Sequence, residues 1–288
     1  MKRIIFTILF ILTIGAAAED KLYDLQGSFA PPDATVVRWV TTTVLEGGTY
    51  TAVRGIVPMD GKIEQSEERE MVIRYISPSR REATITKSRS VQVEKFPDRK
   101  DKETRKSISP LEGVPLVGTL ADSQWQFAFA HGEPTAEQAP DLARIRRRMN
   151  QEADLFKNAT EKKIGDTWSI DPRHFLEAAG YDDVSKARGT VSATLRSVAK
   201  AGTEEQATVD LEIDVAAVLA PPKSPTTRLK LRSRGTVTRS LTTKLDLAVE
   251  LNGNLTRSGQ LQTQPGLLQP YFLVSPIKFK SRREIVSP

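Results

Sequence analysis

Arg144, Arg146, Arg147 and Arg148 form the densest basic cluster beyond the N-terminal leader, and guanidinium groups suit paired hydrogen bonds to phosphate or carboxylate. Arg144 and Arg148 are spaced i,i+4 and Arg147 is adjacent, whereas Arg146 points nearly opposite Arg148 on a helix. The candidate anion contacts are therefore Arg144, Arg147 and Arg148, weighed against the plainer reading of a solvated helix face. A second set is apolar. Trp125, Phe127 and Phe129 alternate with Gln124, Gln126 and Ala128, which puts three aromatic rings on one face of a strand. Such a row is either core or a platform on which a ligand stacks.

Other chemistries lack their residues. The chain has no cysteine, which removes thiolate nucleophiles, cysteine zinc sites and disulfides together. His131 and His174 are 43 residues apart, outside any HExxH or HxH spacing, so no metal is expected. Neither a G-x-S-x-G elbow, a phosphate-binding Walker loop nor a dinucleotide-binding glycine pattern occurs. Acid pairs such as Asp182-Asp183 and Glu204-Glu205 fall in turns, which leaves a carboxylate-dependent hydrolase as the weakest reading. No cofactor is expected, and a non-enzymatic role is favoured.

The elements that must position these residues follow from periodicity. Thr135 to Gln138 has the form of a capping box, but Pro140 is best tolerated in a first turn, so the regular helix is set at Pro140 to Phe156. Leu142, Ile145, Met149, Ala153 and Phe156 then fall on one apolar stripe that should lie on a sheet. Gly165-Asp166 turns the chain into a strand anchored by Trp168. Asp171-Pro172 starts a short helix, with Gly180 as its C-terminal cap. A pocket between helix and sheet would be lined by Trp125, Phe127, Phe129, Leu142, Ile145, Met149 and Trp168.

Both flanks read as strands. Thr35 to Leu45 and Thr49 to Val57 form an expected hairpin across Gly47-Gly48, a further turn covers Pro58 to Gly61, and Met71, Ile73 and Tyr75 share a face in the next strand. In the second half, Val209 to Val215, Leu229 to Gly235 and Leu245 to Leu251 each alternate apolar with charged residues. The charges run acidic, basic, acidic. Pairing as a meander would set opposite charges beside each other on the wet face. Asn252-Gly253 and Pro265-Gly266 read as turns.

Ser109-Pro-Leu-Glu-Gly113, Trp125, Leu142 and Gly165-Asp-Thr-Trp168 together resemble a loose group of exported bacterial proteins without known function. That resemblance implies a β-rich exported protein and carries over no catalytic residue. Lys2 and Arg3, the apolar run Ile4 to Ile14 and Ala16-Ala17-Ala18 have the form of a secretory signal peptide over residues 1–18, placing the mature chain in the periplasm or the medium. The apolar run is shorter than the ~20 residues of a membrane span, and no second one follows, so no transmembrane segment is expected. Removing Lys2 and Arg3 takes the formal charge from +6 to +4, a modest excess, and nucleic acid is not an expected partner.

The reading is an α+β protein, mostly β, with long antiparallel strands in a curved sheet or open barrel and an amphipathic helix packed on one face. Its parts are the leader, an N-terminal β-rich half at 19–133, a helical connector at 134–182 and a C-terminal antiparallel half at 183–288. The expected role is an envelope protein that binds lipid or another apolar ligand between sheet and helix. The alternative is a structural or protein-interaction module docking on an envelope protein.

Overall fold

The structure, a computed structural model, describes residues 21–27, 29, 31–54, 57–96, 102–122, 124–150, 155–181, 183–220, 225–264 and 267–286. The signal peptide expected at 1–18 lies outside them. In chain order the elements are β1 (Val36–Arg54), β2 (Val57–Ser77), β3 (Arg80–Lys95), β4 (Glu103–Ile108), β5 (Pro115–Ala121), β6 (Gln124–Phe129), α1 (Gln138–Asn150), β7 (Thr167–Ile170), α2 (Pro172–Ala178), β8 (Val184–Ala201), β9 (Glu204–Leu219), β10 (Thr227–Ser240), β11 (Asp246–Gln264) and β12 (Leu267–Val286). The protein is mostly strand. All twelve strands form one antiparallel sheet in the order β6-β5-β3-β2-β1-β12-β11-β10-β9-β8-β7, with β4 paired to β3. Its ends, β6 and β7, do not meet, so the sheet is open.

The two halves join at the centre, where the first and last strands pair from Val36 opposite Val286 to Ala52 opposite Tyr271. Alternation gives each long strand one apolar face. In β9 this buries Val209, Leu211, Ile213 and Val215 and leaves Glu212 and Asp214 exposed. Two buried clusters result. One gathers β7 to β11 with α2, Leu25, Phe156 and Trp168. The other brings Leu142, Ile145 and Met149 of α1 together with Trp39, Met71, Ile73, Ile85, Leu116 and Phe127.

The Ser109 to Gly113 segment carries the chain along the edge of β3 from β4 to β5. Glu112 accepts the Ser88 N–H at 2.8 Å, the Gly113 N–H donates to the Ile85 carbonyl at 2.8 Å, and Leu111 is fully buried. Gly113 has φ +80, a conformation glycine adopts without strain. The same segment pins the start of α1: the Ser109 hydroxyl donates to Asp141 Oδ2 at 2.7 Å, and Gln138 Nε2 donates to the Pro110 carbonyl at 3.1 Å.

Several expectations need correction. Gly47-Gly48 is a bulge inside the single strand β1, where the register shifts and Gly47 takes φ +62. Pro58 to Gly61 belongs to β2, and Asn252-Gly253 lies in the middle of β11. The paired glycines signal local backbone demands at these places, not chain reversal. Pro265-Gly266 is outside the described residues. The helix expected from Pro140 to Phe156 is α1, Gln138–Asn150, two residues earlier at its start because the capping box forms: Thr135 N–H to Gln138 Oε1 is 3.0 Å, and Gln138 N–H to Thr135 Oγ1 is 3.3 Å. Ala153 is outside the described residues, and Phe156 lies beyond α1 in the other buried cluster.

The meander β9-β10-β11 has the expected order, with only half of the charge ladder. Arg232 and Arg234 reach Asp214 and Glu212 on β9 at 2.9 and 3.2 Å, but the register sets them opposite Asn254 and Asn252 on β11. Glu250 turns to Lys280 on β12 at 3.3 Å. Such exposed pairs each contribute ~0–1 kcal/mol.

Tyr50 on β1 donates its hydroxyl to Glu94 Oε2 at 3.0 Å. Burial first, then the Glu94 carboxylate, raises its pKa well above the ordinary tyrosine value. In the unfolded chain it ionises normally, near pH ~10. The unfolded state then holds fewer protons than the folded one, so this group's contribution is intact below about pH 10 and declines as pH rises beyond it. Urea midpoints measured from about pH 8 to 11 should fall more steeply for the wild type than for Tyr50→Phe. Parallel curves would assign the alkaline loss to other groups.

Candidate functional site

Antiparallel register aligns side chains in rows across the sheet. One row on the inner face reads Glu67, Thr43, Phe279, Leu251, and the next reads Gln65, Leu45, Ile277, Gly253, Ser233. These rows cross β2, β1, β12, β11 and β10, the central strands, and their Leu45 and Leu251 belong to the first buried cluster, with Ile277 and Phe279 packed against it. They form the floor of a groove of about 440 Å³, which Arg144 of α1 borders on one side and Phe175, Ala179, Gly180 and Tyr181 of the α2 segment on the other. That volume lies within the ~300–1,000 Å³ usual for small-molecule sites.

The floor mixes apolar and polar groups: Leu45, Leu231, Leu251, Leu255, Ile277 and Phe279 lie among Thr41, Thr43, Gln65, Glu67 and Ser233. The Ser233 hydroxyl is occupied by the Asn252 carbonyl at 2.9 Å. Two arginines interrupt this surface. Arg69 shares a row with Thr41 and Ser281, and Arg257 shares one with Leu273 and Leu229. Along β12, Leu273 and Ser281 are eight residues apart, or about 26 Å of strand. Each arginine has a buried Nε with no hydrogen-bond partner. Arg69 has Glu67 at 3.8 Å, while the guanidinium of Arg257 lies 5.7 Å from the ring centre of Tyr181.

Local sequence explains how α2 delivers Tyr181. Asp171 accepts the His174 N–H at 2.9 Å as N-cap, and Pro172 occupies the first turn. At the other end Gly180 takes φ +84, its N–H donates to the Glu177 carbonyl and that of Tyr181 to Leu176, each at 2.9 Å. This cap turns the chain over β11. His174 thus serves the cap, and His131 is exposed.

Six of the seven apolar residues read from the sequence as ligand-lining come together, away from this groove. Phe127, Leu142, Ile145 and Met149 are buried in one cluster, with Trp125 and Phe129 packed against it. Trp125 stacks under Arg81, whose guanidinium carbon is 3.7 Å from the ring centre. The packing there leaves a void of about 20 Å³ bordered by Trp39, Arg69, Met71, Ile145 and Met149, room for a single water at most. Trp168 belongs to the first-described cluster, with Phe156 at a ring-centre distance of 6.3 Å. Arg144 borders the groove and pairs with Asp141 at 3.1 Å. Arg146 donates to the Phe127 carbonyl at 2.6 Å, tying α1 to strand β6. The side chains of Arg147 and Arg148 lie outside the described part.

Arg69 and Arg257 were not among the candidates read from the sequence, although a signal was present. The alternation that turns Met71 and Ile73 inward also turns Arg69 inward, and the phase of Leu251 and Leu255 includes Arg257. A cation in the apolar phase of a strand is costly unless something answers it. Glu94 is the one carboxylate-bearing residue in the buried class among the described residues, and its carboxylate accepts from Tyr50 and Gln92.

The chain matches no family model and no curated protein. Among solved structures it is similar to one described as lipid-protein interactions in lipovitellin, with 9% identity and a TM-score of 0.42, over 89% of this chain and 25% of that one. It is also similar to the binding domain of botulinum neurotoxin DC in complex with rat synaptotagmin II, with 8% identity and a TM-score of 0.13, over 85% of this chain and 78% of that one. The chain thus spans a quarter of the lipovitellin chain. Likenesses at these scores carry no argument about fold or function.

Proposed function

We propose that the protein is a non-enzymatic binding protein of the bacterial envelope, exported by its N-terminal leader, that holds the apolar chain of a lipid in the groove between the central strands and the two helices. The observation carrying this reading is the groove itself: about 440 Å³ on the central strands, between Arg144 of α1 and Phe175 of α2, with six apolar side chains among the polar groups of its floor. Burying a hydrocarbon chain there removes apolar surface from water on both sides, at ~25 cal/mol per Å². The void bordered by Ile145 and Met149 of α1 is far smaller, at about 20 Å³.

The test is uptake of the neutral apolar dye N-phenyl-1-naphthylamine, paired with mass spectrometry and solvent extraction of the mature protein purified from its own envelope. A stoichiometric bound lipid and saturable dye fluorescence are expected, on a chain that starts near Glu19. Thr43 is half-buried in the floor, and Thr43→Trp should fill the groove and weaken dye binding at least about tenfold, with the unfolding midpoint nearly unchanged. Dye binding unaffected by Thr43→Trp would refute the groove as the site.

A second reading, a structural or protein-interaction module, draws on Leu268, Phe272 and Val274. All three are exposed on the outward side of β12, where apolar side chains in a row suit a partner surface. A mature protein with neither extracted lipid nor dye uptake would make this reading the leading one.

A further inference from the structure

Among the described residues, Arg257 has no carboxylate within ion-pair reach, although its Nε is buried and its side chain lines the groove. Its one charge-related contact is the face of Tyr181 at 5.7 Å, a weak cation–π interaction at that distance. Arg69, at the other end, is answered within the chain by Glu67 at 3.8 Å. Arg144 is answered by Asp141 at 3.1 Å. Among the described residues the groove is therefore asymmetric in charge: its Arg257 end holds a partly desolvated cation that no described carboxylate answers. A guanidinium so placed gains most from a group that accepts two parallel N–H bonds, a carboxylate or a phosphate monoester.

Resting on the carrier reading above, we infer that the ligand is an anionic single-chain amphiphile whose head group binds Arg257, its hydrocarbon chain running over Leu231, Leu255, Ile277 and Phe279 toward Arg69. The inward phase of β11 supplies the cation and the apolar floor together, since Leu251, Leu255 and Arg257 lie on one face of the strand. Tyr181 covers the guanidinium from the α2 side, which limits competition by water for the head group. Arg257 thereby selects among lipids, and the apolar rows retain whichever one enters.

The experiment is displacement of N-phenyl-1-naphthylamine at about pH 8 by myristate, by myristyl alcohol and by inorganic phosphate. The wild type should prefer myristate to the alcohol of equal chain length by about tenfold or more. In Arg257→Gln the preference should shrink to about twofold with the alcohol's affinity unchanged, and Arg257→Lys should fall between the two, since ammonium keeps the charge and loses the fork. Arg69→Gln should keep the preference. Equal affinity of the wild type for myristate and the alcohol overturns the head-group inference and leaves the carrier reading standing. So does a preference that survives Arg257→Gln, or one lost in Arg69→Gln instead. Displacement by inorganic phosphate alone would reveal a small-anion site and overturn the amphiphile. Failure of the dye and both amphiphiles to bind is a different pattern, and it sinks the carrier reading itself.

Discussion

Arg239→Met is expected to lower the unfolding free energy by about 3–5 kcal/mol, the range for removing one partner of a buried ion pair. The Arg239 side chain is 3% exposed and donates to Asp246 Oδ1 at 2.7 Å. Its guanidinium also donates to the Gly27 carbonyl and lies 5.0 Å from the ring centre of Phe156. Three separate stretches of chain thus meet on one side chain: the N-terminal segment, the segment after α1, and the start of β11. Methionine matches the length and fills the volume but leaves Asp246 and the Gly27 carbonyl without their donor. The variant's guanidinium-chloride midpoint measures the loss. Asp246→Asn, which keeps an oxygen acceptor for the guanidinium, should cost distinctly less. A near-neutral Arg239→Met would mean that hydrophobic packing, not the ion pair, holds this junction.

Gly253→Ala should destabilise by about 3 kcal/mol or more, at the upper end of the cost of overpacking. Gly253 pairs with Ser233 on β10 and Ile277 on β12, so backbone flanks it on both sides. A Cβ there would overlap the carbonyl oxygen of Arg232 and come within 2.6 Å of Ser233 Cα. Gly235 mirrors it: its Cβ would overlap the carbonyl oxygen of Glu250 on β11. The two glycines let β10 and β11 approach more closely than two side-chain-bearing residues would allow. Relief would require parting the strands that carry Leu231, Leu255 and Arg257, so dye binding should weaken along with stability. Asn252→Ala, exposed beside it, should change stability by no more than about 0.5 kcal/mol. If Gly253→Ala melts like the wild type, the close approach of β10 and β11 is not required.

The local features were the most legible. The capping box at Thr135 and Gln138, the Asp171 N-cap and the Gly180 C-cap all depend on residues within a few positions, and each forms. Alternation in β9 marked its buried face correctly, because period two survives whatever the neighbouring strand is. Glycine pairs misled, since a bulge, a close strand approach and a turn all call for glycine and the sequence does not distinguish them. The candidate site suffered from the same locality. Six aromatic and aliphatic residues around α1 were read as lining a pocket, and apolar pattern alone does not tell whether the space between them is filled. In the structure all six lie in or against one buried cluster, and Ile145 and Met149 border a void of about 20 Å³.

From composition and periodicity alone came a cysteine-free chain of mostly antiparallel strands, with its helices between two strand-rich halves and without the motifs of the common enzyme chemistries. Those properties are local or additive, so they survive without knowledge of which segments meet. Only the tertiary structure decided that β1 pairs with β12, joining the halves into one open sheet. That pairing sets Thr43 and Leu45 beside Ile277 and Phe279 and so creates the groove floor. It likewise took the fold to bring the Gly27 carbonyl to buried Arg239 across 212 residues, and to set Arg257 in the groove with no ion-pair acid among the described residues. The physical reason is long range: a residue's charge and size are written in the chain, but at the β1–β12 seam and at Arg239 some of the groups that answer them arrive from more than two hundred residues away.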